Sequence, residues 1–341
     1  MKMWIGKVIH RLNWKTVART IISAGLLAWL FFLTDWKDLA QVWSRLEPEW
    51  ILAAVAAIVI SMIISVRKWQ LVLDAQNIRL AWNELWKAYW AGLFFNNFLP
   101  SSIGGDGLRI WWVGKVARDN SGAATSVIVE RILATTGLAL TGLVAAAFVN
   151  RPDNRIVISA IILFISLIVV SLGLLGLICL GIFPRWAENR KGKITSFLRK
   201  MARHGQKLKH QPGRLVRVGI LSVAFQLAVV LVNYCIFRAL ELTALAWWDL
   251  LYVIPVISVA AMLPLGINGY GLREGAYVAM LGMYQVPAST AISASLLFVF
   301  LVSLCSLYGG SAWLHYRVKG ELADVKVQSN TNSSGRDEVW E

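Results

Sequence analysis

The chain has 341 residues, of which 57% are hydrophobic and 16% charged, where a soluble domain of this length carries about 25% charge. Its net charge of +15 reads as cations gathered on the cytoplasmic face of a membrane, not as a nucleic-acid footprint. A soluble fold is thereby excluded. A transmembrane barrel is excluded too, because the short alternating segments it needs are missing. What remains is an all-α, polytopic membrane bundle.

Residues 1–15 are a basic, cytoplasmic N-terminus, and the membrane domain covers 16–318. Continuous apolar runs, each able to cross a hydrocarbon core of roughly 30 Å as a helix, lie near 17–34, 50–66, 121–149, 156–182, 216–239 and 287–314. The first resembles an uncleaved signal anchor, since no small-x-small cleavage site precedes a soluble domain. Two more apolar segments, near 86–113 and 248–284, are interrupted. The linker 184–214 is strongly basic. Within it Ile194, Phe197, Leu198 and Met201 recur at helical spacing, opposite cations, and predict an amphipathic helix lying on anionic lipid. The polar tail 319–341 is expected to be disordered. Cys179, Cys235 and Cys305 sit in apolar runs and read as small hydrophobes. Trp50, Trp69, Trp82, Trp86, Trp313 and the pairs 111–112 and 247–248 read as interfacial anchors, with Arg67 and Lys68 as anchors at the inner face.

The two interruptions match. "LPSSIGGDGLR" begins at Leu99 and "LPLGINGYGLR" at Leu263, 164 residues later, with seven of eleven positions identical. Pro100 and Pro264 mark the breaks. Interrupted segments at corresponding places in two halves (here about 50–182 and 216–315) point to a transporter-type binding site. Charge fixes the topology. Residues 1–19 carry five Lys/Arg and no acid, and the stretch 183–215 carries ten cations against Glu188 alone. Both therefore lie in the cytoplasm. If the first broken segment crossed once, the basic linker would fall outside. The segment is therefore expected to enter and return on the cytoplasmic side, as a re-entrant hairpin or a close-packed pair of helices. The second does the same from outside, which yields an inverted repeat with both termini cytoplasmic.

Such breaks are tolerated at membrane depth only where protein buries them or a wet cavity receives them. Gly104, Gly105 and Gly107 allow positive φ and a tight turn. The helix that follows offers free N–H groups and a positive dipole end to an anion. Arg109 adds a donor fork suited to phosphate. The second repeat places Asn268, Gly269, Gly271 and Arg273 in the same relation. These eight residues are candidates for holding a headgroup phosphate. Asp106, Glu130, Arg131 and Glu274 are candidates for a polar or gating network, because a charge inside a span is expensive and normally faces the bundle interior. The alternative reading leaves the glycines and prolines shaping the hairpins and the arginines pairing with internal acids. No nucleotide, zinc or nucleophile-elbow motif occurs, and no cofactor, metal or enzymatic activity is expected.

At "LPSSIGGDGLRIWWVGK", "VERIL" and "LPLGINGYGLREGAYV" the chain resembles the membrane family named for the transmembrane region of lysylphosphatidylglycerol synthases, also called the flippase-like domain family. The resemblance covers about residues 15–315. It implies translocation of lipids between leaflets of the inner membrane, with aminoacylated phospholipids or polyprenyl-phosphate-linked lipids as substrate classes. Only about 25 residues follow the last span, so the soluble synthase domain of some members is not expected here. The function implied is therefore movement of an anionic phospholipid or polyprenyl-phosphate lipid, with membrane lipids as partners. Two alternatives stand beside it: a carrier or channel for a soluble anion, and a non-transporting partner of a lipid-modifying enzyme or glycosyltransferase.

Overall fold

The structure is a computed structural model that describes residue 43 and residues 46–98, 104–148, 154–182, 192–263 and 269–334. Among the described residues there are ten helices: α1 (Pro48–Ala75), α2 (Trp82–Phe98), α3 (Gly104–Ala117), α4 (Asn120–Ala146), α5 (Asn154–Leu180), α6 (Lys193–Lys209), α7 (Pro212–Ala239), α8 (Trp247–Met262), α9 (Leu272–Gly282) and α10 (Ala288–Ser334). Five are long and apolar enough to cross a membrane: α1, α4, α5, α7 and the Ala288–Tyr316 part of α10. The chain is thus a polytopic membrane bundle. The sixth expected span, 17–34, lies outside the described residues.

The broken segments are pairs of short helices. At about 1.5 Å per residue, α2 and α3 are about 26 and 21 Å long, and α8 and α9 about 24 and 17 Å. None reaches across a core of roughly 30 Å alone. The two arms of each pair pack on each other and are clipped at their open ends. Trp112 Nε1 donates to Glu84 Oε2 at 3.3 Å in the first pair. The Tyr284 hydroxyl donates to Asp249 Oδ1 at 2.9 Å in the second.

Cations of α6 and α7 gather the helix ends around the first clip. Lys207 Nζ donates to the Gln76 carbonyl at 3.4 Å, and Arg214 donates to that of Asp74 at 2.6 Å. Both meet the carbonyl end of α1, where the helix dipole favours positive charge. Asp119 caps α4 by accepting the Gly122 amide at 2.9 Å and pairs with His204 of α6 at 2.8 Å. The chain therefore leaves α1 and enters α4 at the same end of the bundle, and α2–α3 opens there. The other pair opens at the opposite end. There the Ala239 carbonyl, closing α7, accepts the Glu47 amide ahead of α1 at 3.3 Å, and Trp247 packs on Tyr234. The packing is reciprocal: α1 lies along α7, α2 against α10, and α8 against α4.

Three sequence expectations change. α1 does not stop near 66. Leu71, Val72 and Leu73 keep it buried to Ala75, which carries Lys68 and Trp69 into the interior, so neither is an interfacial anchor. Trp112 is fully buried as well, while Trp111 and Trp248 are exposed. α10 continues as helix to Ser334, so the tail expected to be disordered from 319 is helical up to there. No proline interrupts it, and extending a formed helix is far easier than starting one.

α6 is a helix, as its periodicity requires, but protein contacts divide its apolar face. Leu208, Gly205 and His204 are buried, and α6 packs against α4 and α5. Ile194 and Phe197 remain exposed. Burial pushes the His204 imidazole below its ordinary pKa, against the pull of Asp119 and with help from Lys207 and Arg203. Burial alone would raise the Asp119 carboxyl. Hydrogen bonds from the Gly122 amide and Ser121 hydroxyl, with His204 beside them, hold it below its ordinary value.

Candidate substrate site between the two hairpins

The first pair closes through contact. Asn96, at the end of α2, accepts the Gly105 amide at 2.9 Å and so satisfies one of the N–H groups that a helix start leaves open. A Cβ on Gly105 would lie 2.0 Å from the Gly92 carbonyl oxygen, and one on Gly92 would lie 2.8 Å from Arg109 Cγ. Both glycines are there to let the arms touch. Gly104, Gly105 and Gly107 are helical residues of α3, and the positive φ expected of them is not found. Gly107 faces open space.

The second pair does use the left-handed region. Gly269 has φ 77° and Gly271 φ 82°. Glu274 then turns back over the start of α9, accepting the Gly271 amide at 2.6 Å and the Ser295 hydroxyl of α10 at 3.1 Å. It is buried and works as a cap that ties α9 to α10. Pro100, Pro264 and Asn268 lie outside the described residues.

A chain of charges ties the first pair to α1 and α4. Glu130, 2% exposed, receives Lys68 Nζ at 2.8 Å and both terminal nitrogens of Arg109 at 3.3 Å. Arg109 also reaches Asp106 at 3.3 Å, and Asp106 accepts a two-point contact from Arg131 at 2.8 and 2.9 Å. Arg109 is 2% exposed, and its guanidinium lies between the rings of Trp69 and Tyr89, at 4.2 and 4.1 Å. Trp69 is fixed in turn by donating Nε1–H to Ser126 Oγ at 3.0 Å. Lys68 is paired with Glu130, and Arg109 is shared between Glu130 and Asp106. Arg131, at the outer end, is 49% exposed.

Both pairs line one cavity of about 460 Å³. Its wall includes Asn96, Asp106, Arg109 and Arg131 from one half and Gly269 and Arg273 from the other. A second cavity of about 290 Å³ adjoins it and shares Arg131 and Arg273. Much of the wall of the second cavity is apolar, with Leu138, Val229, Ile254, Ile257 and Phe298. Arg273 lies near the Phe298 ring, 5.9 Å from its centre. Arg109 and Arg273 border the same space, with Arg109 already committed to two carboxylates. Glu274 stands behind the wall as a cap.

The family model of the lysylphosphatidylglycerol synthase TM region matches residues 16–309, which include every helix from α1 to α9. The chain belongs to this family. It is also 24% identical over 301 residues to a UPF0104 membrane protein of Pyrococcus horikoshii, covering 81% of this chain and 90% of that protein.

In this member of the family, four site residues escaped sequence reasoning: Lys68, Trp69, Tyr89 and Asn96. Lys68 carried a readable signal. Apolar residues continue on both sides of it, so a span ending at 66 left the lysine wrongly outside. The stacking of Trp69 and Tyr89 on Arg109 depends on how three helices meet and leaves no trace in the spacing.

Proposed function

We propose that this chain moves a phosphate-bearing lipid, an anionic phospholipid or a polyprenyl-phosphate lipid, between the leaflets of the bacterial cytoplasmic membrane. One observation carries the reading: Arg131 and Arg273, from different halves, border both cavities. The phosphate sits between these two guanidinium groups, which suit its geometry. Arg109 is a positioning residue that holds Asp106, and through it Arg131. The adjoining apolar cavity takes the part of the lipid nearest the headgroup, while the tails stay in the bilayer.

The same reading makes the halves an inverted repeat, with the α6 end in the cytoplasm. Reciprocal packing and hairpins opening at opposite ends support this, as do the exposed cations of α6. Transport then follows from rocking one half against the other around the phosphate.

Proteoliposomes test it. Wild-type protein accelerates movement of a labelled phosphatidylglycerol, a short polyprenyl phosphate, or both, over empty vesicles. Each of Arg131→Ala and Arg273→Ala slows it by about ten- to hundredfold, the worth of a charge-assisted hydrogen bond. Movement of neither lipid by folded wild-type protein overturns the reading, as does full activity in the double variant.

A further inference from the structure

The charge network of the first hairpin does not cancel, and its surplus sits at the cavity. Lys68, Arg109 and Arg131 face Glu130 and Asp106, three cations to two carboxylates. Lys68 is 1% exposed, and Arg109 and Glu130 are 2% exposed. This buried core has one cation more than it has carboxylates, and Asp106, 3.3 Å from Arg109, cancels it. Arg131 is then the cation left over. It is 49% exposed and lines both cavities. Asp106 covers it all the same: Arg131 Nε and Nη2 donate to the two carboxylate oxygens at 2.9 and 2.8 Å. Asp106 is 22% exposed and lines the larger cavity beside Arg131. One carboxylate thus serves two guanidinium groups, a buried one fixed between the Trp69 and Tyr89 rings and an exposed one at the cavity.

We infer that Asp106 is an internal competitor for the lipid phosphate: its carboxylate occupies Arg131 while the site is empty and yields Arg131 to the phosphate when lipid binds. The inference rests on the phosphate-lipid reading above and deepens it. Two features give the exchange its direction. A phosphate and a carboxylate on one guanidinium repel each other across a few ångströms, where partial burial weakens screening. Asp106 also has Arg109 to fall back on, so releasing Arg131 leaves it paired while the phosphate meets the surplus charge. The exchange works in reverse on release. The carboxylate waits beside the site to take Arg131 back, so the lipid is let go instead of held. In the alternative arrangement Asp106 stays on the Nε edge of Arg131 and the phosphate takes the opposite edge through Nη1. Asp106 then only orients Arg131 and helps binding.

The two arrangements give opposite signs for Asp106→Asn, which keeps the shape and an acceptor and removes the charge. Equilibrium binding of phosphatidylglycerol and of a short polyprenyl phosphate to the purified full chain is measured for wild type, Asp106→Asn, Arg131→Ala and the double variant. Asp106→Asn binds at least one of the two lipids about tenfold more tightly than wild type, as expected when one charge-assisted hydrogen bond no longer has to be given up. In the Arg131→Ala background the same substitution changes affinity less than about twofold, because no guanidinium is left to compete for. A wild-type measurement stands beside these. With isotope-labelled arginine, the Arg131 Nε–H resonance, identified by its loss in Arg131→Lys, shifts when lipid is bound. Equal or weaker binding by Asp106→Asn overturns the inference and leaves the phosphate-lipid reading in place. An equal gain in the Arg131→Ala background does the same, since it reports plain repulsion, as does an Arg131 resonance that stays still while lipid is bound. Binding of neither lipid by wild type or Asp106→Asn overturns both. If Asp106→Asn does not fold, the wild-type resonance decides.

Discussion

The two hairpins carry the same motif and use it differently. In the first, glycines are helical and serve close contact: Gly105 lies against the Gly92 carbonyl, and Asn96 covers the exposed amide. In the second, Gly269 and Gly271 take positive φ, and the cap comes from inside the following helix, through Glu274. Their arginines differ as well. Arg109 is held by two carboxylates and two rings, whereas Arg273 borders both cavities. A sequence repeat therefore marks equivalent places in a fold without fixing equivalent roles. Arg131, from the helix after the first hairpin, is paired with Asp106 and also borders both cavities.

The largest expected effect breaks the lock. Glu130→Ala leaves Lys68 buried without its carboxylate and Arg109 with Asp106 alone, and thermal or denaturant unfolding should show a loss of about 3–5 kcal/mol. A loss near zero would mean that the network does not hold the first hairpin.

Next come the glycines. Gly105→Ala forces a methyl into the Gly92 carbonyl and should cost about 1–3 kcal/mol by overpacking. Gly107→Ala enters open space on a helix and should gain up to about 1 kcal/mol. The same contrast should appear in the yield of folded, monodisperse protein. Equal effects at the two sites would refute the contact role of Gly105.

In the second hairpin, Glu274→Ala removes an acceptor at a helix start and should cost about 0.5–2 kcal/mol, as capping losses do. Glu274→Gln keeps an acceptor and should cost less. If Gln proves as harmful as Ala, the charge of Glu274 matters beyond its cap.

The smallest effect is a pH dependence at α6. The folded pKa of His204 lies below its unfolded value of 6.5. The stability this contributes is intact above pH 6.5 and falls as the pH drops below it, because the unfolded state then binds the extra proton. Asp119 acts in the same direction at lower pH: its folded pKa lies below 3.8, so its contribution is present above that value and is lost on acidification. Protection of the α6 amides, with exchange corrected for its intrinsic pH dependence, should therefore fall between pH 7.5 and 5.5, and His204→Gln should flatten the response.

Much of this architecture was legible in the chain. The broken segments, five of the continuous spans and the amphipathic linker are properties of local composition and period, and each reappears as a helix or helix pair. Partner choice was not legible. Asp106 takes Arg131, 25 residues away, and Glu130 takes Lys68 from another span. Such pairs depend on helix rotation, which packing decides and spacing does not record. Glycine roles were misjudged for a related reason. "GGDG" is compatible with both a positive-φ turn and a close helix contact, and only the neighbouring Gly92 decides between them.

The most direct measurement of the central claim is to lock the hairpin ends together. With the three native cysteines replaced, cysteines at positions 96 and 263, both in the wall of the larger cavity, are joined by a short reducible cross-linker in proteoliposomes. If lipid phosphate passes between the hairpins, the linked protein stops moving labelled lipid and reduction restores the rate. Movement at the unlinked rate while the cross-link is intact would contradict a pathway between them.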